Sequence, residues 1–179
     1  RFASHFGGAP ILSIEGRSFP VEVQYRDFQT EQTSDVKAKQ KNSIERADDL
    51  SMSDKIVKTV DEITQHDGLG DILIFLPGER EIREAHLALA KKKYRATEVL
   101  PLYARLSVKD QDRVFNPTTG RRIVLATNVA ETSLTVPRIR YVIDPGMARV
   151  KRYSTRQKLD RLLIEPISQA SANQRKGRC

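Results

Sequence analysis

Residues 71–82 read Asp-Ile-Leu-Ile-Phe-Leu-Pro-Gly-Glu-Arg-Glu-Ile, and the fold follows from them. The first half, Asp71 to Leu76, is an almost continuously apolar run. A strand with one wet face alternates apolar and polar residues, whereas a strand covered on both faces does not. Pro77-Gly78 breaks the run, because proline cannot donate to a ladder and both residues favour turns. From Glu79 to Lys91 the period becomes helical, with Ile82, Ala85, His86 and Leu89 on one face. A doubly buried strand leading into an amphipathic helix is the opening of a βαβ unit.

The same alternation continues downstream. Glu98 to Tyr103 predicts a second strand, Val108 to Phe115 a short helix, Arg121 to Ala126 a third strand and Arg140 to Ile143 a fourth. Strands alternating with helices predict an α/β fold, a doubly wound parallel sheet with helices on both faces. Ala148 to Tyr153 and Leu159 to Ile164 read as an inserted antiparallel β-hairpin, and Ser168 is expected to cap a final helix. Upstream, Leu50 to Gln65 has helical spacing with Ser53 as expected N-cap, while Ala9 to Ile14 and Pro20 to Tyr25 read as short strands. The expected organisation is a linking segment and entry strand over 1–26, a polar loop over 27–49 and the main domain over 50–179.

Apolar residues make up 39% of the 179, enough for one domain with a core. No apolar run approaches the roughly 20 residues that cross a bilayer, and no secretory leader is visible, so no membrane partner is expected. The single cysteine, Cys179, excludes a disulfide framework or a cysteine zinc site within the chain. His5, His66 and His86 lack metal-ligand spacing, so no metal site is expected, and the cytoplasm is the default compartment. Charge is segregated. Residues 1–137 hold 20 Lys/Arg and 20 Asp/Glu, whereas residues 138–179 hold 11 Lys/Arg against Asp144, Asp160 and Glu165. The whole net charge of +8 therefore sits in the last quarter, as a segment facing a polyanion would have it.

Ligands of an open parallel sheet gather at the carboxyl ends of its strands. Leu76 to Glu79, Tyr103 to Ser107, Thr127 to Ser133 and Asp144 to Gly146 all follow strand ends. Small and hydroxyl-bearing residues there leave backbone N–H groups and side-chain oxygens free for phosphate. The triplet Lys91-Lys92-Lys93 at a helix end reads as a solvated tail favoured by the helix dipole.

Four segments carry a resemblance. Leu73 to Ile82 looks like helicase motif IV, Leu102 to Leu106 like motif IVa, Ala126 to Thr135 like motif V, and Gln174 to Arg178 like the start of motif VI. In this order they resemble the DEAH-box ATP-dependent RNA helicases of superfamily 2, of the bacterial HrpA type, over nearly the whole chain. The resemblance implies a RecA-like fold for the second motor domain. It also implies ATP and Mg²⁺, bound mainly by a first RecA-like domain, and RNA as partner, single-stranded or duplex with an overhang.

Carried over by position, Gln174 and Arg178 are implied to face the nucleotide phosphates as catalytic groups, Arg178 as the arginine finger. Arg175 is expected to hold the local network together. Phe115 is implied to stack on the base, and Ser133 and Thr135 to lie on the nucleotide side. Thr127 and Asn128 match residues that touch nucleic-acid backbone, and Gly78 is expected to let that backbone come close. The hairpin cations Lys151, Arg152, Arg156 and Lys158 are expected along the strand path, with Arg161 nearby. Two departures stand out: Pro137 replaces an aspartate that many relatives use toward ribose, and the chain stops before the last arginine of motif VI. No Gly-Lys-Thr phosphate loop and no Asp-Glu-Ala-His occurs. A piece of a longer protein, inactive as an ATPase alone, is expected. A stand-alone nucleic-acid-binding or adaptor module, and a motor acting on DNA rather than RNA, stay open as alternatives.

Overall fold

The computed structural model describes residues 5, 7–8, 10, 20–26, 28, 50–66, 70–116, 119–154 and 159–179. Helix α1 (Met52–His66) leads into β1 (Asp71–Phe75), followed by α2 (Glu79–Lys92), β2 (Thr97–Leu102), α3 (Val108–Phe115), β3 (Arg121–Ala126), the single turn α4 (Val129–Thr132) and β4 (Ile139–Ile143). Strands β5 (Met147–Ser154) and β6 (Leu159–Pro166) come next, then α5 (Gln169–Lys176). Strands β2-β3-β1-β4 form a four-stranded parallel sheet, and β5-β6 form a separate antiparallel hairpin.

All five residues of β1 and all six of β3 are buried, as the unbroken apolar runs require. Their side chains divide by parity. Ile72, Ile74, Ile123 and Leu125 pack with Ile56, Val57 and Val60 of α1 and Ile82, Ala85 and Leu89 of α2. Leu73, Phe75, Val124 and Ala126 pack on the opposite side with Leu100, Leu102, Val114, Ala130 and Val136. Helices α1 and α2 thus cover one face, α3 and α4 the other. The handedness rule explains the split: the β1-to-β2 crossover moves one way along the sheet, while β2-to-β3 and β3-to-β4 move the other way. The doubly wound reading holds.

Details differ from expectation. The cap of α1 is Ser51, not Ser53: its Oγ accepts from the Asp54 N–H at 3.2 Å and donates to the Asp54 carboxylate at 2.6 Å. Ser53 lies one residue inside the helix. Residues 20–26 form no strand despite their alternation. Val23 is 49% exposed and Tyr25 92%, so these two meet little surface among the described residues, and alternation alone does not make a ladder. The expected strand over 9–14, Pro10 aside, and the polar loop over 27–49, Phe28 aside, lie outside the described residues. The lysine triplet is more than a tail. Lys92 Nζ donates to Asp61 of α1 at 2.7 Å, beside the Tyr94 hydroxyl at 2.6 Å, tying the two helices of that face together.

The largest surprise lies at the amino edge of the sheet. Asp71 and Arg122 are both fully buried and opposed across β1 and β3. The Asp71 carboxylate accepts from the Arg122 N–H at 2.8 Å, from Nε at 2.9 Å and from Nη2 at 2.6 Å. Arg122 also donates to the carbonyls of Val114 and, at 2.7 Å, of Pro137. A buried charge pair offsets its desolvation only when its remaining donors are used, and here four of the five guanidinium N–H groups have acceptors.

Candidate functional site

Because the sheet is parallel, all four strand ends open on one edge. The backbone of β1 and β3 stays paired to the last step: Phe75 stands opposite Ala126, and the Leu76 N–H donates to the Ala126 carbonyl at 2.8 Å. Pro77-Gly78 and Thr127-Asn128 therefore leave the sheet side by side. Thr127 is half-buried, its N–H bonded to the Leu102 carbonyl at 3.2 Å, and Asn128 is exposed. After β2, Ser107 caps α3 through the Asp110 N–H, and Arg105 pairs with Glu79 at 3.0 Å.

Asp144-Pro145-Gly146 turns the chain from β4 into the hairpin. Asp144 Oδ1 accepts the Gly146 N–H at 2.9 Å, and Gly146 has φ +74°, a conformation that favours glycine. The same oxygen accepts from Arg175 Nη1 at 2.8 Å. Arg175, 1% exposed, is the centre of this region. Its Nε donates to Glu131 Oε2 at 3.0 Å, and its guanidinium lies 4.7 Å from the Phe75 ring centroid. One side chain thus joins α5, α4, the hairpin turn and β1, as its place in the sequence pattern led us to expect.

Arg178 follows one turn later. Its Nε donates to the Glu131 carbonyl at 3.0 Å, Nη2 reaches the same oxygen, and Nη1 donates to Thr135 Oγ1 at 3.1 Å. A guanidinium carries five N–H groups, so two remain for another acceptor. Glu131 serves both arginines, Arg175 by its carboxylate and Arg178 by its backbone. The structure therefore brings Arg178 and Thr135 together. Ser133, exposed, ends α4, and Gln174 is exposed on α5.

Phe115 ends α3, on the way to the amino end of β3. It is half-buried against the cluster that contains Val114 and Val136. Arg122, bonded to the carbonyls of Val114 and Pro137, clasps the end of α3 to the segment after α4. Pro137 lies two positions after Thr135, to which Arg178 donates, so one short segment links the end of α3, through Arg122, with Arg178. Arg122 went unnoticed in the sequence; the available signal was a charge at the first positions of two otherwise apolar strands.

The hairpin holds most of its described charge internally. Lys151 pairs with Asp160 at 2.7 Å, and Arg152 with Glu165 at 2.8 Å. Arg161 is exposed, and Arg156 and Lys158 lie outside the described residues. Gly78 is buried, and what comes close to it is Arg149 of β5: a Cβ there would meet the guanidinium carbon at 2.9 Å. Among the described residues no cluster of three or more His, Cys, Asp or Glu could hold a metal ion. No helix of the described residues is long and apolar enough to cross a membrane.

With this geometry in view, comparison with known proteins is direct. The family described as helicase conserved C-terminal domain matches residues 54–179. The chain belongs to this family. It is 58% identical over 181 residues to the ATP-dependent RNA helicase HrpA of Escherichia coli strain K12, covering 100% of this chain and 13% of that protein. Against the HrpA homolog of Haemophilus influenzae identity is 55% over 179 residues, 100% of this chain and 12% of the relative. Among solved structures it is similar to the E. coli DExH-box NTPase HrpB, with a TM-score of 0.75 at 35% identity, covering 99% of this chain and 20% of that one. This helicase C-terminal domain thus spans about an eighth of the HrpA relatives' length. The RecA-like parallel sheet with its separate hairpin matches the HrpB structure in fold.

Proposed function

We propose that this domain is the second motor domain of an ATP-dependent RNA helicase, working with a first RecA-like domain of the same protein. The observation that carries the proposal is the seat of Arg178. Its guanidinium is anchored by Glu131 and Thr135, yet two of its N–H groups have no acceptor among the described residues. An arginine so placed stabilises charge developing on a transferring phosphoryl group, worth about 10³–10⁵ in rate where such fingers operate.

The other residues divide by position. Gln174, Ser133 and Thr135 serve the nucleotide's phosphate side and Phe115 its base, with Arg122 fixing the backbone that carries Phe115. Bound ATP and Mg²⁺ supply the leaving group and its charge neutralisation, held mainly by the first domain. Thr127 and Asn128 bond phosphate and sugar oxygens without reading bases, as a motor moving along any sequence requires. Lys151 and Arg152 act on RNA only by exchanging their carboxylate partners for phosphate, so each contributes less than a free cation would. Residues 1–26 serve as the link to the first domain, and 50–179 as the folded motor unit.

RNA-stimulated ATP hydrolysis by the protein carrying both motor domains tests this. Stimulation that requires the 2′-hydroxyl is expected. Stimulation by DNA of equal length and strength would make it a DNA motor, and RNA binding without hydrolysis an adaptor.

A further inference from the structure

Of the described cations near the carboxyl edge, Arg149 has the weakest partner. It lies on β5, and its Nη2 is 3.5 Å from Glu81 Oε2, too far for a good hydrogen bond. That glutamate oxygen is buried and, among the described residues, has no hydrogen-bond partner. Lys151 and Arg152, by contrast, sit at 2.7 and 2.8 Å from their carboxylates. The Arg149 guanidinium stands directly over Gly78, at the amino end of α2, where the helix dipole disfavours a cation. Gly78 has no side chain to cap α2, and glycine at this position leaves the guanidinium room to lie against the backbone. By the pairing of β1 with β3, this is where Thr127 and Asn128 emerge.

We propose that Arg149 is a phosphate-contacting residue of the nucleic-acid path, parked on Glu81 over Gly78 when no strand is bound and transferred to a backbone phosphate when one is. The proposal rests on the RNA-motor reading above and adds a contact and a competitor to it. A phosphate offers the guanidinium two acceptor oxygens in fork geometry, which Glu81 at 3.5 Å does not. Glu81 acts as a counter-charge that the strand must displace. RNA affinity is thereby held below what the cation alone would give.

Three variants of the full-length protein, Arg149→Ala, Arg149→Lys and Glu81→Gln, test this through equilibrium binding of a single-stranded RNA at several salt concentrations. Arg149→Ala is expected to weaken binding and to make the log–log salt slope shallower by about 0.7, the loss of one single-strand phosphate contact. A fourfold rise in salt then weakens the wild type about 2.6-fold more than the variant. Glu81→Gln is expected to tighten binding, because the competitor is gone; a purely structural clasp between hairpin and core would weaken or leave binding when cut. Arg149→Lys should restore the slope, since it keeps the charge. An unchanged slope in Arg149→Ala, or binding in Glu81→Gln that is weaker or unchanged, overturns the proposal. A wild-type protein that does not bind RNA overturns the RNA reading beneath it as well.

Discussion

Replacing Arg175 by methionine removes the guanidinium but keeps an apolar stem over Phe75. Two charge-assisted hydrogen bonds vanish, to Glu131 at 3.0 Å and Asp144 at 2.8 Å, and both carboxylates lose their cation. Breaking a buried pair from one side costs about 3–5 kcal/mol, mainly through the charge left behind. The Glu131 and Asp144 side chains keep 14% and 20% exposure, so water relieves part of the penalty and places the cost near the lower end, about 3 kcal/mol. For a domain of this size each kcal/mol shifts Tm by about 2–4 °C, giving a fall of about 6–12 °C by calorimetry. Adding Asp144→Asn should then recover about 1 kcal/mol, because the amide oxygen still accepts from Gly146 without an unpaired charge. A fall under about 2 °C, or no recovery in the double variant, would show that Arg175 is not the clasp described.

The 179-residue chain alone should show no ATP hydrolysis, with or without RNA; turnover that co-purifies and titrates with it would refute the two-domain division of the site. Changing Lys151 and Arg152 together to Ala should flatten the salt slope of RNA binding by less than the roughly 1.4 expected for two unpaired cations, because both already hold carboxylates. A full loss of about 1.4 would mean that these ion pairs open freely. Burial pushes the Asp61 carboxyl up, but hydrogen bonds from Lys92 and Tyr94 and the charge of Lys92 outweigh it and hold the carboxyl below its ordinary value. The depressed value makes its stabilisation complete above the unfolded pKa and lost as pH falls through the folded one. The Tm gap between wild type and Asp61→Asn should therefore close in acid, and a gap independent of pH would contradict the sign.

The sheet was legible because burial on both faces leaves a plain trace: DILIF and RRIVLA could not be half-wet strands. Helix caps were legible to within two residues, since Ser51 and Ser53 offer the same chemistry and only the entry of the chain selects between them. Residues 20–26 misled because alternation records which side chains could share a face, not whether a surface exists to receive it. The site's order along the chain was visible in the motifs, and so was the binding-together role of Arg175. Arg122 and Arg149 were not, because their importance comes from partners 51 and 68 positions away, Asp71 and Glu81. Pairing across that distance is set by sheet topology and by the hairpin's return over α2, neither of which has a local signature.

The central claim is that Arg178 completes a nucleotide site shared with another domain. Its most direct test is the turnover of Arg178→Ala, in the protein carrying both motor domains, at saturating ATP and RNA. A finger that acts on the transition state should lower kcat by about 10³-fold or more while ATP affinity stays within a few fold, because most ground-state phosphate contacts come from the first domain. Turnover at the wild-type rate would contradict the account and leave Arg178 as a structural brace between α5, Glu131 and Thr135.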